Sequence, residues 1–194
     1  KLEIFEKLCD THLIDIEIVG MKVEDIPTDY KKLSKKFTGK PNLFTNDGST
    51  IKDFPREFGS SWWRTEQFMK NISNMKSEFK KAKAPANYKE EQNYSLPYNQ
   101  LTYDLAVNMG LMGHFVGDNA QPFHTTADYD GYKAGHGGIH AFYEDEVVSH
   151  FDGDLDALVL QAARNLKDTS FLKGKTTIEK MKKLSVIFCI FFCK

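Results

Sequence analysis

LTYDLAVNMGLMGHFVGDNAQPFH, residues 101–124, sets the fold class. Leu101, Leu105, Met109, Met112 and Phe115 with Val116 return every three or four residues. That is the period of a helix burying one stripe. Pro122 lacks the N–H that a further turn would need, so the helix is expected to end there. Within the helix His114 and Asp118 are four residues apart, and therefore one above the other on a single face.

The same periodicity extends on both sides. Upstream, Phe68, Ile72, Met75 and Phe79 step by four, three and four, with Lys70, Asn74, Ser77 and Lys81 opposite. Lys76 and Lys80 flank this stripe, and these lysines read as a solvated face. Downstream, Gly131 to Gly138 holds four glycines and is expected to be a loop, followed by a helix from about Ile139 to His150. Asp154 is placed to cap a further helix carrying Leu155, Leu158, Val159, Ala162 and Leu166 on one face. Thr176 and Glu179 have capping-box spacing for the last helix. Residues 39–59 are rich in Gly, Pro, Asn, Asp and Ser and read as a long loop, and 84–97 as a polar connector. Only Ile14, Ile16 and Ile18, alternating with Asp15 and Glu17, suggest a short strand. The fold class is all-α, one domain over residues 1–194.

Metal chemistry is the reading of the histidines. His114 with Asp118, and His140 with Glu144, are two i,i+4 pairs, and the turn at Pro122 can bring His124 back to the first pair. Imidazole and carboxylate together suit zinc ahead of iron or manganese. His136 lies four before His140, but Gly137 and Gly138 intervene, so it reads as a loop residue. Asp128, Asp130 and Tyr132 lie between ligands without a pattern of their own. Phe123 and Phe142 read as packing around the site, and His150 as a cation at a helix C-terminus.

HFVGDNAQPFH followed by GGIHAFYE resembles the zinc-dependent phospholipase C and S1/P1 nuclease superfamily. Its pattern is His-x3-Asp-x5-His, then His-x3-Glu or His-x3-Asp on the next helix. Thr11-His12-Leu-Ile-Asp15 resembles the family's upstream His-aromatic-Ile-Asp segment, with Leu13 in place of the aromatic. The resemblance implies a multi-helix phospholipase C/P1 nuclease-like domain with two or three zinc ions when complete. His12, His114 and Asp118 would hold one zinc, and His124, His140 and Glu144 its neighbour. Asp118 would also reach a third zinc and is the catalytic candidate. The implied activity is phosphodiester hydrolysis by a metal-bound hydroxide. Counted back from His12, the family's upstream Asp falls at or before Lys1, and its N-terminal Trp and His have no counterpart. The expectation is a domain lacking its N-terminal part.

Glu144 as the last ligand favours the phospholipase C branch, and phospholipid or another small phosphoester as substrate. The alternatives are a single-strand nuclease and a catalytically inactive, zinc-stabilised helical domain. Resemblance also implies a secreted or periplasmic protein, although the chain begins at Lys1 with no signal-peptide pattern. A net charge of −1 gives no long-range field to recruit nucleic acid or an anionic membrane. No stable protein partner is expected. Cys9, Cys189 and Cys193 do not form a disulfide framework, and the last two would share a helix face. Leu184 to Cys193 has only Ser185 as a polar residue, too short a run to span a bilayer. It reads either as a core helix cut short or as sequence foreign to the domain.

Overall fold

The computed structural model describes residues 11–167, 169 and 173–192, with side chains up to residue 187. Cys9, Cys193 and the side chain of Cys189 lie outside that description, and with them the expected shared cysteine face. Among the described residues the fold is all-α, with no strand. Helix α1 is Tyr30–Phe37, α2 Phe54–Phe58, α3 Ser61–Phe79, α4 Tyr88–Glu91 and α5 Pro97–Ala120. α6 begins as Ile139–Ala141 and continues as a π-helix over Phe142–Val147. α7 is Leu155–Asn165 and α8 Thr177–Phe192. No helix among the described residues is long and apolar enough to cross a membrane.

α3 and α5 form an antiparallel pair. Ser61 Oγ donates to Asn119 Oδ1 at one end, Phe68 stacks on Phe115 near the same end, and Phe79 meets Tyr98 at the other. α8 closes the base of the pair. Trp62 Nε1 donates to Ser185 Oγ at 3.1 Å, both side chains being buried, so the indole is packed without stranding its polar atom. Ile14, Ile18, Leu33, Phe54, Phe58, Trp62, Ile178 and Met181 belong to one core between α8 and residues 14–62. Of the Phe68–Phe79 stripe only Phe68 is buried, and the lysines opposite it are exposed.

The expected strand at 14–18 is corrected. Ile14 makes one antiparallel bridge with Gly59, and the chain then coils into a 3-10 turn over Ile16–Val19. The turn still sends Ile18 and Val19 into the core, so the alternation marked burial rather than extension. Gly59 makes the bridge possible: at φ +84°, a Cβ there would sit 1.8 Å from Leu13 O. The long loop over 39–59 also needs correcting, since it contains α2, capped by Asp53 accepting from Arg56 N–H. The polar connector likewise contains α4.

Asp154 caps α7 as expected, accepting from Ala157 N–H, but the apolar face of α7 is exposed. Leu155, Leu158, Val159 and Leu166 all face solvent. Phe142 is also exposed, at 60%, and is not the packing residue expected. Thr176 Oγ1 accepts from Glu179 N–H, and the Glu179 carboxylate reaches back to Lys175 N–H, one residue before the usual capping-box target.

Candidate metal centre

The site lies where four chain segments meet beside the C-terminal end of α5. His12 precedes the Ile14–Gly59 bridge. Its segment is stitched down on both sides: Ser60 N–H donates to Thr11 O, and Ile14 N–H donates to His124 O at 2.9 Å. His114 and Asp118 stand on α5, one turn apart. His124 follows Pro122 in a 3-10 turn, Pro122–Thr125. His140 lies in the first turn of α6 and Glu144 in its π-helical part, a wider turn of the kind often found at functional sites.

All six predicted residues converge. His114 Nε2 is 3.3 Å from Asp118 Oδ2, and His124 Nε2 is 4.0 Å from Asp118 Oδ1. Asp118 therefore presents one oxygen to each imidazole, the disposition of a bridging carboxylate. Glu144 Oε1 lies 3.2 Å from His124 Nε2 and 3.1 Å from His140 Nε2. The His12 ring centroid is 4.8 Å from that of His124 and 6.1 Å from that of His114. Convergence is uneven. Among the described residues the tight donor set is His124, His140 and Glu144, within 4.8 Å of one another, while His114 stands half exposed at the rim.

No protein-family model, curated protein or solved structure matches the chain. The donor geometry and the motif are what point to a metal.

That geometry fits a cation. Asp118 Oδ2 and His140 Nε2 are buried, and neither has a hydrogen-bond partner. Their neighbours stand at contact distance but without hydrogen-bond alignment, and burying such atoms unpaired is costly. Burial depresses the His124 pKa to about 4, helped by the charge of His12. Its imidazole is therefore neutral at neutral pH and offers a lone pair. Burial pushes Asp118 up to about 6, with the pull of His12 only partly offsetting it. For Glu144 burial acts upward, but His140 and His124 outweigh it and hold the carboxyl below its usual range. Two imidazoles and a carboxylate in one tight set, with Asp118 Oδ1 4.0 Å from His124 Nε2, are donors of the kind zinc takes.

Several supporting residues were not legible in the sequence. Asp130 Oδ1 accepts the backbone N–H of His140 at 3.1 Å, fixing the start of α6. Asp128 closes its loop by accepting from Lys133 N–H and Ala134 N–H. Tyr129 sets its ring edge-on to His140 at 5.6 Å. Asp15 is half-buried with its Oδ1 buried and unpartnered, and its pKa is raised to about 7 by burial and by Glu17. Phe123 packs beside His140 and Tyr143 as expected. His136 is an exposed loop residue, and His150 Nδ1 is 2.8 Å from Glu146 O at the end of α6.

Proposed function

We propose that the chain holds a multinuclear zinc centre and hydrolyses phosphodiester bonds in the manner of a phospholipase C. The convergence of His12, His114, Asp118, His124, His140 and Glu144 from four segments carries this reading, together with their resemblance to that superfamily's motifs. Zinc bound there would polarise a phosphoryl oxygen and bring the pKa of a water toward neutrality. The residues divide the remaining work. His124, kept unprotonated by burial, and His140 offer nitrogen donors, and Glu144 stays ionised between them. Asp118 links this trio to His114 and His12. The rim is open, because His114 and Glu144 are each about half exposed, so a substrate phosphate can reach the donors. Such exposure suits a catalytic site better than a closed structural one.

A single-strand nuclease is the second reading. Tyr129, edge-on to His140 at 5.6 Å, is 51% exposed, and exposed aromatic rings are stacking platforms for bases.

Parallel assays test the proposal. Zinc-loaded protein is offered phosphatidylcholine vesicles, single-stranded DNA and a chromogenic diester near neutral pH. Chelator-sensitive turnover is expected, falling roughly a hundredfold or more in His140→Ala and His114→Ala, since each removes a donor to the charge clamp. Lys81→Ala, at an exposed position in the turn that follows α3, should be silent. Preference for DNA would move the protein to the second reading. No turnover with zinc fully bound would leave a structural metal domain.

A further inference from the structure

We propose that Gln121 is a positioning residue that holds three candidate metal ligands in register; this rests on the metal-centre reading above. Gln121 is the junction between α5 and the 3-10 turn that carries His124. Its backbone N–H donates to Asp118 O at 3.0 Å, and its backbone C=O accepts from His124 N–H at 3.1 Å. Its side chain is divided between two tasks. Oε1 accepts from Phe123 N–H at 3.3 Å, which caps the turn, and Nε2 donates to Glu144 Oε1 at 3.3 Å, 23 residues away. One residue thus touches the segments of Asp118, His124 and Glu144.

The amide differs in kind from the other two groups around Glu144 Oε1. Those are His124 Nε2 and His140 Nε2, both metal-donor atoms. An imidazole nitrogen that coordinates a cation no longer donates a proton to a carboxylate. The Gln121 amide has no lone pair to give a metal at its nitrogen, so it alone of the three can keep Glu144 in place whether or not metal is bound. Partners that orient a ligating carboxylate in this way commonly change metal affinity ten- to a hundredfold when removed.

Capping and ligand positioning are separable by substitution. In Gln121→Ser the short hydroxyl can still accept from the start of the turn, as serine does at N-caps, but cannot reach Glu144. Gln121→Leu removes both tasks. Zinc affinity of the full chain would be measured by competition with a chelating dye at about pH 7, and melting would be followed in EDTA. Both variants are expected to bind their most weakly held zinc about ten- to a hundredfold less tightly, with Gln121→Ser melting close to wild type when metal-free. Wild-type zinc affinity in Gln121→Ser overturns the proposal, including the case where only its melting temperature falls, since the amide then serves the turn alone. Should the wild-type chain itself take up no zinc, the metal-centre reading fails and this inference with it. Zinc uptake and turnover unchanged by both substitutions would sink the role of Gln121 and leave that reading standing.

Discussion

Replacing Asp15 by Asn should stabilise the metal-free protein at alkaline pH and do little at acid pH. Asp15 is half-buried, its buried Oδ1 has no partner, and its pKa is raised from 3.8 to about 7, first by burial and then by Glu17. Because the folded-state pKa lies above the unfolded one, the native chain binds more protons than the unfolded chain between about pH 4 and pH 7. Stability therefore falls as pH rises through that window and levels off above it. A shift of about three units at 1.36 kcal/mol each sets a ceiling of ~4 kcal/mol. Relaxation and water entry around a partly accessible carboxylate bring a realistic figure nearer ~2 kcal/mol. For a chain of this size that is roughly 4–8 °C in Tm. The asparagine cannot ionise, so its advantage should grow from near zero at about pH 4 to its full value at about pH 8. Thermal melts in EDTA across that range keep metal out of the comparison. An offset equal at both ends, or a less stable variant at about pH 8, would refute the argument. A half-buried carboxyl that costs stability at neutral pH, three residues after His12, follows the pattern of perturbed groups clustering at functional sites.

Elemental analysis after zinc-supplemented expression should find bound zinc, and Asp118→Asn should lose the most, since Asp118 faces both His114 and His124; a metal-free wild type would contradict the reading. Chelation should lower Tm by several degrees, because a ligand present at a thousand times its Kd stabilises by about 4 kcal/mol, and an unchanged melt in excess EDTA would count against a bound metal. Zinc affinity should weaken as pH drops through about 6, by up to roughly tenfold per unit from Asp118 alone, because its carboxyl must lose a proton to bind; titrations at stepped pH would show it, and a flat profile would exclude it. Gly59→Ala should cost roughly 3 kcal/mol or more, since it combines a positive φ with a Cβ placed against Leu13 O, and a near wild-type denaturation curve would mean that the Ile14 bridge is dispensable.

The residues most legible in the sequence were those whose geometry is local. His114 with Asp118, and His140 with Glu144, follow from the pitch of a helix, and the break at Pro122 announced the turn that carries His124. His12 was visible only through the resemblance, because its approach to His124 depends on hydrogen bonds to Ser60 and to the His124 carbonyl. Gln121 and Asp130 went unread for the same reason: their acceptor and donor lie 23 and 10 residues away. The alternation over 14–18 located the core but not the conformation, since a bridge followed by a 3-10 turn buries Ile14 and Ile18 as well as a strand would. In α7 the period predicted the helix and its apolar face. Period alone does not say what covers that face, and in the structure it is exposed.

The stitch between the N-terminal segment and the His124 turn has a kinetic consequence. Ile14 N–H meets the His124 carbonyl, and the neighbouring Ala127 N–H reaches the Glu17 carboxylate across 110 residues. Contacts this distant in sequence close a large loop and form after local helices have condensed. His12 joins the other candidate ligands only once that loop is shut, so its contact with a bound zinc would form too late to guide the chain toward its fold, unlike those of His124, His140 and Glu144, which are close in sequence. A bond absent from the folding transition state acts on the return path instead. Held through His12, zinc would then govern how slowly the finished protein opens rather than how fast it first folds.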